Sequence, residues 1–294
     1  MAFDNGSEQR RPFARWLAGG ARRLDLAVIA AVPLVLVAVF ALPEPVRRSL
    51  AFDYTRPSVL TAYAAPFVHL EWSHLLVNVL GYAVVVPVAY GLSVASGTVE
   101  RFRAAFVTFV LVFPPVLSLL NLAVVRPTVG VGFSGVLLAF VGYMPLALAD
   151  YLSTGFDVGP RHLLSPAVFF TGLTLVAVLS MQSVLFSDPT VLLGTALLVV
   201  ATLLSAVLFL VAALDRAGAT ATTPAALRRS GYVEFGVAAG VVFFGFPFVA
   251  FPPDPAGAGG ILNLYVHLLG YALGFMVTYS AVAVDDRVPD LSSV

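Results

Sequence analysis

Cysteine and lysine are both absent from this chain, and charge of either sign is scarce. Without cysteine there is no disulfide, no thiol nucleophile and no thiolate-bound metal. Charged residues make up 11% of the 294 positions, against about 25% in ordinary soluble domains. All sixteen basic residues are arginine, the bias of a GC-rich genome such as a halophile's. Net charge is zero and by itself names no partner; nucleic acid is not among the expected ones.

What fills the chain instead is apolar, 60% of it. Eight runs come close to or exceed the roughly 18 residues that cross a bilayer core: Leu26–Leu42, Trp72–Val94, Ala104–Val125, Phe133–Leu152, Leu163–Met181, Val191–Leu214, Val233–Phe251 and Ile261–Val284. A soluble core cannot absorb eight such runs. The expected fold is all-α, a polytopic membrane helical bundle of about eight transmembrane helices, surrounded by lipid bilayer. Residues 1–23 are polar, with five arginines and two acids. They do not resemble a cleavable signal peptide, and the full-length first run reads as a retained span. They form an N-terminal segment before a single membrane domain over 24–284, and 285–294 form a tail.

Arginine placement sets the expected orientation. With the N-terminus cytoplasmic, Arg10, Arg11, Arg15, Arg22, Arg23, Arg101, Arg103, Arg161, Arg216, Arg228, Arg229 and Arg287 lie inside; only Arg47, Arg48, Arg56 and Arg126 lie outside. Twelve against four puts both termini in the cytoplasm of a multi-pass cell-membrane protein. The outer loop 43–71 is too long for a turn and carries amphipathic stretches such as SVLTAYAAPFV, which suit the membrane interface. Residues 215–232 read as a cytoplasmic connector.

Ionisable or strongly polar side chains inside spans are expensive and usually functional. Of the four histidines, His162 sits beside Arg161 at a cytoplasmic helix end and reads as interfacial. The other three lie at outer ends. His74 and Asn78 are four apart and share a helix face, whereas His69, five before His74, belongs to the preceding loop. From Trp72, His74 lies about 3 Å and Asn78 about 9 Å down the second span, and His267 lies about 9 Å below Ile261. Glu71 and Trp72 read as interfacial, without a catalytic role.

The stretch VGVGFSGVLL formally contains G-x-G-x-x-G (Gly130, Gly132, Gly135), with Asp150 placed as a dinucleotide-binding acid would be. That fingerprint requires a βαβ unit, and here membrane spans flank it. A simple glycine turn leaves Ser134 unexplained. The apolar run after Ser134 barely reaches the cytoplasm, so Ser134 begins its helix below the outer surface, among free backbone N–H groups at the positive dipole end. Irregular backbone at that depth is tolerated only where protein or water surrounds it. A serine, histidines and donors at one depth are the parts for acyl transfer: a nucleophile needs a base, and its intermediate needs donors at the oxyanion. His267, Gly270 and Gly274 share one face, as do Gly135, Ala139 and Gly142, and small faces let membrane helices approach closely.

The segments HLEWSHLLVN, GFSG and HLLGYALG together resemble the signature elements of rhomboid intramembrane serine proteases. His69, His74 and Asn78 meet the first pattern, Gly132, Ser134 and Gly135 the second, and His267, Gly270 and Gly274 the third. The resemblance covers about residues 24–152 and 233–284. It implies a rhomboid-like core, Ser134 as nucleophile and His267 as general base, without a carboxylate. It implies an oxyanion hole from the Ser134 N–H, His74 and Asn78, with His69 bracing the first loop. Transmembrane protein segments would be the substrates, with no metal and no cofactor. Three spans separate the catalytic helices where the six-helix family core has one, so two helices are extra. The family's first-loop Trp-Arg is replaced by Leu60-Thr61, and the aromatic residue four after the serine is Leu138. The orientation of His267 must therefore come from elsewhere.

Other functions fit less well. A silent rhomboid-like protein that binds membrane helices is the main alternative, favoured had the serine or histidine been lost. A transporter would place acids at midplane in several spans, which are nearly free of them. A metal hydrolase lacks H-E-x-x-H and any acid beside the histidines within a span.

Overall fold

The computed structural model describes residues 13–123, 128–184, 189–217, 230–251 and 264–285. A short helix, α1 (Phe13–Gly20), precedes α2 (Arg23–Phe40), α3 (Glu44–Ser49), strand β1 (Phe52–Asp53) and α4 (Val59–Ala64), which runs into a 3₁₀ turn at Ala65–Phe67. Then follow α5 (Trp72–Ala95), α6 (Val99–Val107), a π-helical turn at Thr108–Val112, α7 (Phe113–Leu120), strand β2 (Val129–Gly130) and α8 (Ser134–Phe156). The last four are α9 (Arg161–Val184), α10 (Pro189–Arg216), α11 (Tyr232–Ala250) and α12 (Leu264–Asp285).

Among the described residues, eight helical segments are long and apolar enough to cross a membrane: α2, α5, α6 through α7 as one Val99–Ala123 unit, and α8 to α12. The chain is thus an all-α, multi-pass membrane bundle. Each expected run overlaps one of them, although 124–125 and 261–263 of the third and eighth runs lie outside the described residues. The π turn has a local cause, because Pro114 and Pro115 cannot donate to the carbonyls of Val110 and Leu111, and the ladder loosens just before them.

One helix is central. In α8, 94% of the spanning window is buried, against 17% in α10. Helices α5, α9, α11 and α12 pack around α8, while α10 leans mainly on α9. The α8–α12 contact is the tightest. A Cβ on Gly270 would collide with the Gly135 carbonyl oxygen, one on Gly274 would lie 2.7 Å from Ala139 Cα, and one on Gly142 would lie 3.0 Å from the Phe275 nitrogen. The two small faces expected from the sequence meet backbone to backbone.

The end of the bundle remote from Ser134 is fastened by ion pairs. Asp25 on α2 accepts from Arg103 at 2.7 Å and from the Tyr90 hydroxyl at 2.8 Å. Asp150, 4% exposed near the end of α8, pairs with Arg101 and, at 3.7 Å, with Arg161. Its formal position in a dinucleotide motif is therefore accounted for by charge pairing. Part of the polar segment 1–23 is also ordered packing: the Phe13 ring lies 5.4 Å from both Tyr232 and Phe235, and the Phe13 N–H donates to the Ser230 carbonyl. Of the connector 215–232, residues 218–229 lie outside the described residues, as do 286–294 of the tail.

Candidate functional site

Ser134 is the first residue of α8, as expected from the length of its apolar run. The turn that delivers it depends on Gly132, whose φ of +105° is open to glycine and strained for other residues. A side chain at Gly132 is excluded for a second reason, since its Cβ would lie 2.7 Å from His74 Nε2. The His74 imidazole thus rests on the backbone two residues before Ser134.

The long loop 43–71 is tied to this turn by a set of bonds. Strands β1 and β2 pair antiparallel, Phe52 with Gly130 and Asp53 with Val129. The Gly132 N–H donates to the Ala65 carbonyl at 3.1 Å, and the Phe133 N–H approaches His69 Nε2 at 3.5 Å. Ser118 Oγ donates to the Ala62 carbonyl and Asn121 Nδ2 to the Tyr54 hydroxyl, both at 2.8 Å. Arg47 on α3 donates from Nη1 to the His69 carbonyl at 2.6 Å and from Nε to the Leu42 carbonyl at 3.1 Å, with its guanidinium over the Phe40 ring. Leu60 and Thr61 do not seat this loop: Leu60 is 69% exposed, and Thr61 closes the Ser58 cap of α4. Arg47 supplies the bracing cation instead. Sequence reading passed over it, because an arginine in a polar loop looks the same whether solvated or bonded.

His69 lies in the loop before α5, fully buried, with its ring edge-on to His74 at 5.0 Å. Burial, helped by the neighbouring His74, pushes its imidazolium down to about 3 from the ordinary 6.5. The folded protein then refuses a proton that the unfolded chain accepts below 6.5. Stability must fall as pH drops from 6.5 toward 3, by up to about 1.4 kcal/mol per pH unit from this group. His69→Gln removes the titration, so its thermal midpoint should fall less steeply with acid over that window. An identical pH slope in variant and wild type would contradict a buried neutral His69.

Asn78 is 2% exposed and one turn below His74 on α5. Its Nδ2 donates to the His74 carbonyl at 2.9 Å, and its Oδ1 is buried with no partner among the described residues. The second Nδ2 hydrogen is left over. Gly81, three residues on, packs against Leu137: a Cβ there would lie 2.9 Å from Leu137 Cδ2. Asn78 and Gly81 share one row, Ser134 and Leu137 another, so the rows bearing Asn78 and Ser134 run side by side.

His267 is 3% exposed, near the start of α12; Ile261, the reference point for its expected depth, lies outside the described residues. Its chain neighbours pack against the residue that follows the serine. A Cβ on Gly135 would lie 3.0 Å from Val266 Cγ2, and Gly270 abuts the Gly135 carbonyl. Val266 precedes His267 and Gly270 follows it by one turn, so the α12 residues on either side of His267 both pack against Gly135, the residue after Ser134. No hydrogen bond joins the two side chains among the described residues. Nucleophile and base are often held loosely before substrate binds. His267 Nδ1 lies 2.8 Å from the Ala250 carbonyl oxygen at the end of α11. A carbonyl can only accept, so Nδ1 carries the proton and the Nε2 lone pair is free. Leu138, at the position of the expected aromatic residue, is buried beneath Gly270, 3.2 Å from where a Cβ there would sit.

Among the described residues there is no cluster of three or more histidines and acids that could hold a metal. The His162 carbonyl, at the far end of α9, accepts from the Tyr279 hydroxyl at 3.1 Å. No family model, curated protein or solved structure matches the chain.

Proposed function

We propose that this chain is a rhomboid-like intramembrane serine endopeptidase that cleaves transmembrane segments of other membrane proteins. The observation that supports the reading is the glycine-lined contact of α8, which begins at Ser134, with α12, which carries a buried His267 whose Nδ1 is already engaged. In this reading Nε2 takes the proton from Ser134 Oγ as it attacks the scissile carbonyl, then returns it to the leaving nitrogen. The Ser134 N–H, His74 and Asn78 would donate to the oxyanion. His69, Gly132, Gly135, Gly270 and Gly274 hold these groups in position. The site end would face outward, with both termini cytoplasmic as the arginine distribution favours. The core would be the six-helix rhomboid arrangement with two added helices.

A second reading has one observation in its favour. Without a Ser134–His267 hydrogen bond, the same bundle could bind membrane helices and leave them intact. Labelling with a fluorophosphonate separates the two. Wild-type protein should be modified at Ser134 and Ser134→Ala should not be, because in this reading Ser134 is the serine served by a base and oxyanion donors. Equal labelling of both proteins, or none in either, would overturn the protease reading.

A further inference from the structure

The group that orients His267 is a peptide carbonyl on a helix bearing neither proposed reacting residue. We propose that the carboxyl end of α11 acts as the third member of the catalytic group, positioning His267 as a carboxylate does in a triad; this rests on the serine-protease reading above.

Three physical facts support the assignment. The Ala250 carbonyl, 2.8 Å from Nδ1, fixes the tautomer that leaves Nε2 able to accept a proton. Ala250 is also the last residue of α11. The final carbonyls of a helix lack intrahelical partners and together carry about half a negative charge. When Nε2 takes the Ser134 proton, the imidazolium forms against that negative end, and Nδ1 keeps its own proton throughout. Finally, the ring is held from the same direction by Phe251, edge-on at 5.7 Å and 2% exposed. Among the described residues no carboxylate bonds this ring.

The arrangement makes the base depend on the seating of α11. At its far end the helix is anchored by Tyr151 stacked on Tyr232 at 4.2 Å and by Phe13 of α1. Toward the site its outer face is exposed at Val241 and Phe248, while Phe243, Ala250 and Phe251 are buried against the bundle. The Ala250 carbonyl is thus the point at which the position of α11 is read by the chemistry.

Phe251→Pro tests this, because a residue before proline is disfavoured in the α conformation. Ala250 must turn its carbonyl away, and the bond from the Phe251 N–H to the Pro247 carbonyl is lost as well. Phe251→Leu measures the share due to the ring alone, and the proposal concerns the additional loss in the proline variant. A wrong tautomer costs about 10⁴ in a Ser-His-Asp enzyme. A carbonyl is a weaker partner than a carboxylate, so Phe251→Pro should label with fluorophosphonate on the order of a hundredfold more slowly than Phe251→Leu. In a His267→Ala background the proline should cost nothing further, since the two act through one group. Nitrogen-15 spectra of the full chain in micelles should place the His267 proton on Nδ1 in wild type and show it divided between the Nδ1–H and Nε2–H tautomers in Phe251→Pro. Equal labelling of the proline and leucine variants, a further loss in the His267→Ala background, or a wild-type proton on Nε2 would each overturn the proposal. The last of these can be read even if the proline variant fails to fold. Wild type that does not label at all would instead bring down the protease reading, and this inference with it.

Discussion

Gly270→Leu should insert into the membrane normally and yet be as inactive as His267→Ala. Insertion is safe because leucine is among the residues the bilayer prefers. The loss follows from the α8–α12 contact, where even a methyl group at 270 would collide with the Gly135 carbonyl. Ordinary contact requires about 3.4–4 Å, so α12 must retreat by more than an ångström to admit any side chain. Proton transfer between nucleophile and base needs roughly 2.6–3.2 Å, and an ångström of misplacement can cost about a hundredfold on its own. Gly274→Leu should behave alike, because its Cβ would press on Ala139 of α8. Measuring fluorophosphonate labelling beside the helical circular dichroism of each variant distinguishes separation from unfolding. A Gly270→Leu protein that labels at the wild-type rate would mean the site does not depend on this contact.

That contact was legible in the sequence because its cause is periodic. Glycines three and four apart mark one face of a helix, and close approach in a membrane has few other means. The eight spans were legible for a similar reason, since a bilayer imposes a minimum apolar length that leaves little freedom. The start of α8 at Ser134 followed from counting that length backward. His69 fell in the loop because a five-residue step to His74 does not fit one helix face.

What stayed hidden depends on contacts without local pattern. The Ala250 carbonyl has no signature, because every residue carries one. Arg47 and Asp53 sit among exposed polar residues, and only the folded loop shows Arg47 on the His69 carbonyl. The β1–β2 ladder is two residues long on each side, below the length at which alternation can be read. Helix α1 lies in a polar segment, and its anchor Phe13 acquires meaning only against Tyr232 and Phe235. The dinucleotide spacing of Asp150 is set aside for want of a βαβ unit, but its arginine partners, which come from α6 and α9, have no local signal.

The His74 and Asn78 side chains should matter to rate far more than to stability, and Asn78 is the sharper case. Its Oδ1 is buried without a partner among the described residues, a situation that costs about 1–3 kcal/mol. Asn78→Ala removes that cost together with the Nδ2 bond to the His74 carbonyl, so the two changes offset. The variant should melt close to the wild-type temperature. If the amide turns its free N–H toward a developing oxyanion, the same change should slow the reaction by about 10²–10³, the usual loss for one such donor. His74→Ala should slow it comparably, because its ring sits against Gly132, two residues before the nucleophile. The double variant should fall below either single one, by less than the product of the two losses if both donors serve one charge. The decisive comparison is labelling rate against thermal midpoint for Asn78→Ala. Slower labelling with an undiminished midpoint marks a group held for the transition state, whereas wild-type labelling would place the oxyanion elsewhere.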